Sequence, residues 1–458
     1  MKRMNKRSWV SVFANDNSAL IPEVWAQESL MILEANMVAA NLVYRDFEDE
    51  VANFGDTVNA HRPTGFVAQR KTDTDDVVVQ DATSTKVPVL LNQHLHTSFV
   101  IKDGEESKSF KDLVNLYLGP ALTSISQALD EVVLCQAYEF LGNSVGKLGT
   151  APTRSTVIAA NELMNTNKAP IAGRNMLLSP NAEGSLLDID NFVKVNESGD
   201  GDALMNANLG RKFNFNFFMD QNTPSVAAGS TTVTGAVNLG AGYAAGSTAI
   251  TVDALSAAIA AGSWCTIAGD MTPQQIQSTV GGGTPTQLNI LPGLKSAVLN
   301  DAVVTVYTAG AVDLVAGYAS GYAKAITVDG FSVAPKTGQL ASFGLTAGRY
   351  GLMSTPTTTS ILPNRPLDAA QANDVVLGVG PAGQYCFGFH RNAVALVTRP
   401  LAQPRPGTGA LSYVANYNGL SVRVTITYEG RSQGHLVTVD LLAGVKTLDT
   451  NLGVVMYA

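Results

Sequence analysis

Apolar positions recur at three- and four-residue steps from Phe110 to Leu141, where Leu118, Leu122, Ile125, Leu129, Val132, Val133 and Phe140 fall on one face. That spacing predicts a long amphipathic helix. Pro120 lies inside the pattern and removes an amide donor, so a kink or a break is expected there. An earlier helix is predicted over Ile21 to Val43, with Pro22 in its first turn and Trp25, Leu30, Leu33, Met37 and Val38 near helical spacing. A shorter one is predicted over Ser155 to Asn165. Period two is clearest in "LSVRVTITYE": Leu420, Val422, Val424, Ile426 and Tyr428 alternate with Ser421, Arg423, Thr425, Thr427 and Glu429, as in a half-buried strand. The β-prone runs Thr57 to Arg62, Val77 to Val79 and Val87 to Val100, with the charged "RKTDTDD" among them, predict a two-stranded excursion with a polar tip. "YCFGFHRNAVALVTRPL" is expected to hold a short helix bounded by Pro400.

Between about Ser225 and Gly380 helical periodicity vanishes and Gly, Ala, Thr and Val dominate. Within that region "AGYAAGSTAITVD" from Ala241 is nearly repeated as "AGYASGYAKAITVD" from Ala316, and "ILPGLKSAVLNDAVVTV" from Ile290 is echoed by "ILPNRPLDAAQANDVVLGV" from Ile361. The landmarks keep their order and spacing, with 48 positions from Asp253 to Asp301 and 45 from Asp329 to Asp374. Two homologous all-β units in tandem account for this, inserted into an α+β chain.

Composition narrows the class. With 458 residues, 45% hydrophobic and only 15% charged, the chain can bury several cores and is not disordered. The net charge of −8 makes most of the surface repel nucleic acid and anionic membrane. The exception is "MKRMNKR", where Lys2, Arg3, Lys6 and Arg7 form a basic block at the terminus. The apolar run after it stops within seven residues, so a secretion signal is not expected, and no run is long enough for a membrane span. Cys135, Cys265 and Cys386 are odd in number and far apart, which predicts reduced thiols.

No motif for chemistry emerges. "GAGYAAG" places its last glycine one position too late for a dinucleotide loop, and "GGGTP" lacks the Gly-Lys-Ser/Thr ending of a phosphate loop. His94 and His96 share a strand face without a third ligand, and His61, His390 and His435 join no nucleophile motif. "DTDD" lacks the ordered oxygen ligands of a calcium loop. Neither catalytic residues, nor a metal, nor a cofactor is expected.

Four stretches, in order along nearly the whole chain, carry a resemblance: "IPEVWAQESLMILEANMVAANLV" with "FGDTV"; "APIAGRNMLLSPNAEGSLL" with "LGRKFNFNFFMDQNTP"; the duplicated "AITVD" and "ND-V-V" landmarks; and "FHRNAVALVTRPL" with "NGLSVRVTITYE" and "VDLLAGVKTLD". They resemble the major capsid (coat) proteins of tailed bacteriophages with the Hong Kong 97-type fold, particularly short-tailed-phage coat proteins with a β insertion domain. The resemblance implies an α+β capsid fold, with an N-terminal arm over 1–46 and an extended loop over 47–102. A peripheral spine helix would span 103–141 and the first part of an axial domain 142–224. The tandem-duplicated insertion would occupy 225–380, where the family carries a single barrel, and the remaining axial and peripheral strands 381–458. It implies a structural, non-enzymatic protein of the virion, assembled in the host bacterial cytoplasm as pentameric and hexameric capsomers around double-stranded DNA. Portal and scaffolding proteins are the implied partners, with room for a decoration protein. The loop tip, Arg70, Lys71, Asp73, Asp75 and Asp76, would meet a neighbouring subunit, and Lys2, Arg3, Lys6 and Arg7 would face the lumen. The rival reading from composition is a secreted or surface β-rich adhesin, which the long central helix and the missing signal peptide oppose.

Overall fold

The structure is a computed structural model that describes residues 27, 29, 31–33, 37–45, 57–62, 68–71, 73, 79, 85–102, 117–194, 202–226, 232–281, 284–307, 314–331, 333–346, 348–353, 356–405, 407, 409–417, 420–431 and 433–458. At its centre the helix Gly119–Leu134 continues as a tighter 3-10 turn, Cys135–Phe140. Pro120 stands in the first turn of the α-helix, right after π-type winding at 117–118. Most of the predicted run from Phe110 to Tyr117 lies outside the described residues. Leu122, Ile125, Leu129, Val132 and Val133 are all buried, and their stripe packs on a sheet whose Val422, Val424, Val437, Val439 and Leu441 belong to the same core.

The backbone of that sheet is the 14-residue strand Gly434–Thr447. The alternating segment forms the strand Leu420–Glu429, paired to it antiparallel, and Leu411–Tyr417 forms the outer edge. The strand Gln93–Lys102 runs along Gly434–Thr447 over ten positions, from Lys102 opposite Gly434 to Gln93 opposite Ala443. Leu442 pairs with both His94 and Arg399, so Val394–Arg399 lies across the long strand from Gln93–Lys102. The predicted single run Val87 to Val100 is therefore two strands, parted at Leu91 and Asn92. Thr85–Leu90 leaves the sheet to pair with Thr57–Arg62 in a hairpin, and Gln93–Lys102 stays on it.

A second sheet of seven strands holds Gly383–His390 at its centre, between Gly453–Tyr457 and Arg174–Leu178, and extends through Phe215–Met219 to the edge strand Arg211–Lys212. The helices Arg154–Thr166 and Pro180–Leu187 cover it, burying Val157, Ala160, Met164, Ala182 and Leu186 with Met176, Phe215, Phe217 and Val454. Both helices begin on a side-chain cap. Thr153 and Thr156 form a capping box, and Ser179 Oγ accepts the Ala182 amide. The helix expected in "YCFGFHRNAVALVTRPL" is instead two strands, Gly383–His390 and Val394–Arg399, joined by the turn Arg391–Ala393. Each serves a different sheet and is buried on both faces. A continuous apolar run of that length carries no period by which to tell a strand from a helix.

The Gly/Thr/Val-rich region forms two β units with one topology. The first is a closed barrel of Thr232–Val237, Ala249–Asp253, Trp264–Ile267, Gln274–Val280, Gln287–Leu291 and Val303–Tyr307. The second is a five-stranded sheet of Ile326–Thr327, Leu340–Phe343, Arg349–Met353, Ser360–Pro363 and Leu377–Val379. Leaving aside the barrel's first strand, both follow the same spatial order: first, fourth, third, second, fifth. The small contacts repeat as well. The tyrosines of the repeated phrase, Tyr243 and Tyr318, pair through their backbones with Val298 and Gln371, and their hydroxyls accept the amides of Thr251 and Thr327. Asp301 and Asp374 both take left-handed φ values, 60° and 63°, and donate their amides to Val237 and Leu314. Leu314 thus stands where the barrel's strand Thr232–Val237 ends, at Val237.

Candidate assembly surfaces

The thiols and imidazoles are the groups on which chemistry would rest. Burial pushes the Cys386 thiol up to about 11 and the Cys265 thiol up to about 12, and raises Cys135 further, so all three stay protonated and are weak nucleophiles at neutral pH. His94 and His96 do share a face, their ring centroids 6.0 Å apart, with His94 Nε2 3.6 Å from Asp440 Oδ2. Among the described residues no three His, Cys, Asp or Glu side chains gather as a metal site would require, and no helix is long and apolar enough to cross a membrane. The side chains that stand out instead join one unit to another.

At the arm, the predicted helix does not run through to Val43. Met37 and Val38 are non-helical, and a separate short helix, Ala39–Leu42, follows. The turn brings two amides to one carboxylate: Val38 N donates to Asp130 Oδ2 and Ala40 N to Asp130 Oδ1, each at 2.8 Å. Asp130 lies on the spine helix and is 1% exposed, so the short helix is capped by a residue some ninety positions away. Burial pushes Asp130 up to about 7; the arm's amides draw it down, and Asp220 adds upward pressure. Sequence reasoning missed both carboxylates. The available signal was Asp130 directly beside Leu129 on a face otherwise committed to the core.

At the other end of the spine, Arg365 of the second β unit joins Glu139 and Asp368. Its guanidinium bonds Glu139 Oε1, lies 2.6 Å from Asp368 Oδ2, and stacks 4.8 Å from the centre of the Tyr350 ring. Tyr138 Oη donates to the carbonyl of Gly338, 2.5 Å away. A Cβ on Gly351 would stand 2.2 Å from Cys135 Sγ, so only glycine lets this strand approach the spine. A polar cleft of about 590 Å³ opens here, lined by Gln136, Glu139, Arg365, Asp368 and Lys446. The two β units meet through Trp264 Nε1 donating to Ser342 Oγ at 2.9 Å and Gln275 Nε2 donating to the Gly344 carbonyl at 3.0 Å.

Two features with exposed residues stand out among the described residues. Leu204, Met205, Phe213, Phe218 and Met219 are exposed together around the edge strand Arg211–Lys212, beside a groove of about 170 Å³ lined by Leu209, Phe217 and Phe218. An apolar patch at an open sheet edge is a contact surface by its physics. The other is the hairpin Thr57–Arg62 with Thr85–Leu90. Of the predicted tip residues between its strands, Arg70, Lys71 and Asp73 are exposed, while Asp75 and Asp76 lie outside the described residues, as do Lys2, Arg3, Lys6 and Arg7.

No family model matches the chain, and no curated protein does. Among solved structures it is similar to one from Mycobacterium phage Che8, at 12% identity and TM-score 0.42 over 92% of this chain and 90% of that one. It is also similar to the capsid structure of the cyanophage P-SCSP1u, at 10% identity and TM-score 0.41 over 88% and 84%. The capsid of Ralstonia phage GP4 follows at 11% identity and TM-score 0.38 over 91% and 87%. At these identities and TM-scores the likeness assigns no role to any residue.

Proposed function

We propose that this chain is the major capsid protein of a tailed bacteriophage, many copies of which assemble into an icosahedral head around double-stranded DNA. The observation that carries the reading is the exposed apolar edge on the second sheet, beside an arm seated on the spine helix and a hairpin that lies on the first sheet through Val89 while its tip residues Arg70, Lys71 and Asp73 stay exposed. An exposed apolar edge gains by burial against another copy, and that burial offsets the entropy of ordering the contact. The order of the sequence landmarks, which resembles that of the Hong Kong 97-type family, supports the same reading.

On this reading 1–46 is the N-terminal arm, 47–102 the extended loop and 103–141 the spine. Residues 142–224 and 381–458 supply the axial and peripheral sheets, and 225–380 is the duplicated insertion. Copies associate as pentamers and hexamers, portal and scaffolding proteins join them, and contact with packaged DNA is non-specific. Lys2, Arg3, Lys6 and Arg7 face the lumen, where cations gain from a polyanion that the acidic bulk of the chain repels. No step of this role requires catalysis by the chain. Electron microscopy of the purified recombinant protein tests it: closed shells or capsomer rings are expected, and a persistent monomer across concentration and salt overturns it.

A further inference from the structure

The arm's seat holds two carboxylates, and the structure gives them unequal hydrogen bonding. Both oxygens of Asp130 accept arm amides, from Val38 and Ala40. Asp220, just beyond the strand Phe215–Met219, accepts the Asn222 amide on Oδ1 at 2.8 Å, while its Oδ2 is buried without a partner. The Ala39 amide acts on both acids. Asp130 is 1% and Asp220 3% exposed. Arm, spine helix and second sheet therefore meet at a buried acid pair. Among the described residues Asp220 is the one charged side chain that acts on Asp130, and no cation offsets the two.

Two carboxylates buried together do not both ionise cheaply, and the pair rather than either residue owns the proton it keeps. The unpartnered Asp220 Oδ2 can take that proton without displacing a donor, whereas either Asp130 oxygen would have to give up an arm amide. We propose that Asp130 and Asp220 form a proton-dependent latch for the N-terminal arm, seated while the pair holds one proton and loosened when that proton leaves.

The direction follows from linkage. Burial raises the seated Asp130 from the ordinary 3.8 to about 7, and release of the arm returns it to water. The seated state then binds the proton more tightly, so seating is strongest below the ordinary value, weakens by up to about tenfold per pH unit as pH rises toward 7, and is flat above it. The latch is a property of the single chain and does not depend on assembly.

Amide hydrogen exchange of the full-length chain tests it, at about pH 5 and about pH 7.5, corrected for intrinsic exchange. The helix Arg154–Thr166 serves as internal reference. Protection at Val38 and Ala40 is expected to fall at least about tenfold between the two conditions while the reference stays constant. Asp220→Asn keeps an oxygen for the Asn222 amide and puts an NH2 group where the proton would be. It is expected to lessen the fall in protection, since burial alone still holds Asp130 up. Asp130→Asn, which replaces one acceptor by a donor, is expected to loosen the arm at both pH values. Protection in the wild-type chain that does not change with pH overturns the latch, and this measurement needs no variant to fold. A wild-type slope retained in Asp220→Asn overturns it equally.

Discussion

Removing the Arg365 guanidinium is expected to detach the second β unit from the end of the spine without unfolding the rest. Arg365 is 7% exposed and bonds Glu139, Asp368 and the Arg349 carbonyl, the last at 3.2 Å. Deleting one member of a fully buried ion pair costs about 3–5 kcal/mol because the partner is left charged and dry. The cost here is smaller, since Glu139 and Asp368 are 22% and 38% exposed and each keeps a contact, Glu139 with the Arg349 amide at 3.2 Å and Asp368 with Lys446 at 3.5 Å. Stacking of the guanidinium on Tyr350 adds about 0.5–2 kcal/mol. Arg365→Met, which keeps most of the apolar stem, is thus expected to cost about 2–4 kcal/mol. Glu139→Gln, which leaves an acceptor for both the guanidinium and the Arg349 amide, should cost about 1–2 kcal/mol. Because the two groups touch, the pair should couple by at least about 1 kcal/mol in a double-mutant cycle. Urea unfolding followed by tryptophan fluorescence suits the assay, since Trp264 is fully buried at the junction of the two β units and belongs to the core cluster shared with the spine. An early transition should separate in Arg365→Met and be absent from the wild type. A midpoint unchanged in Arg365→Met, or strictly additive effects in the cycle, would refute this account of the junction.

Thr153→Ala removes one half of the capping box on the helix Arg154–Thr166 and is expected to cost about 1 kcal/mol, read by thermal unfolding. Gly378→Ala places a Cβ 2.1 Å from the Gly262 carbonyl at the meeting of the two β units, so a loss of about 1–3 kcal/mol or a separated transition is expected, and wild-type melting would show that the approach is looser than described. At the loop tip, reversing Asp75 and Asp76 to Lys is expected to leave the monomer folded but impair assembly. Each exposed pair contributes only about 0.2–1 kcal/mol but recurs at every local contact. Reversing Arg70 and Lys71 to Glu in the same chain should partly restore particles, counted by electron microscopy, and normal shells from the Asp reversal alone would leave the tip a solvated loop.

What the sequence determined by itself are the features that local periods and caps encode. The spine stripe from Leu118 to Val133, the alternating strand Leu420–Glu429 and the helix after Thr153 each carry their period within a few turns or pleats, and each formed where the pattern put it. The repeated tyrosine phrase belongs with them, because a duplication is legible as identity of letters before any contact is known, and the two β units share one strand order. Tertiary structure decided the rest. Tyr385 to Arg399 became two strands because two different sheets bury them on both faces, which erases the alternation that marks a strand. The arm turns at Met37 and Val38 because a carboxylate on a distant helix offers its amides a better partner than another helical turn, and nothing in the spacing of Leu30, Leu33 and Met37 records Asp130. The same holds for Arg365 with Glu139 and for Asp130 with Asp220: the energetic weight of a buried charge depends on what the fold excludes around it, and that solvent exclusion is a property of packed elements, not of neighbouring letters.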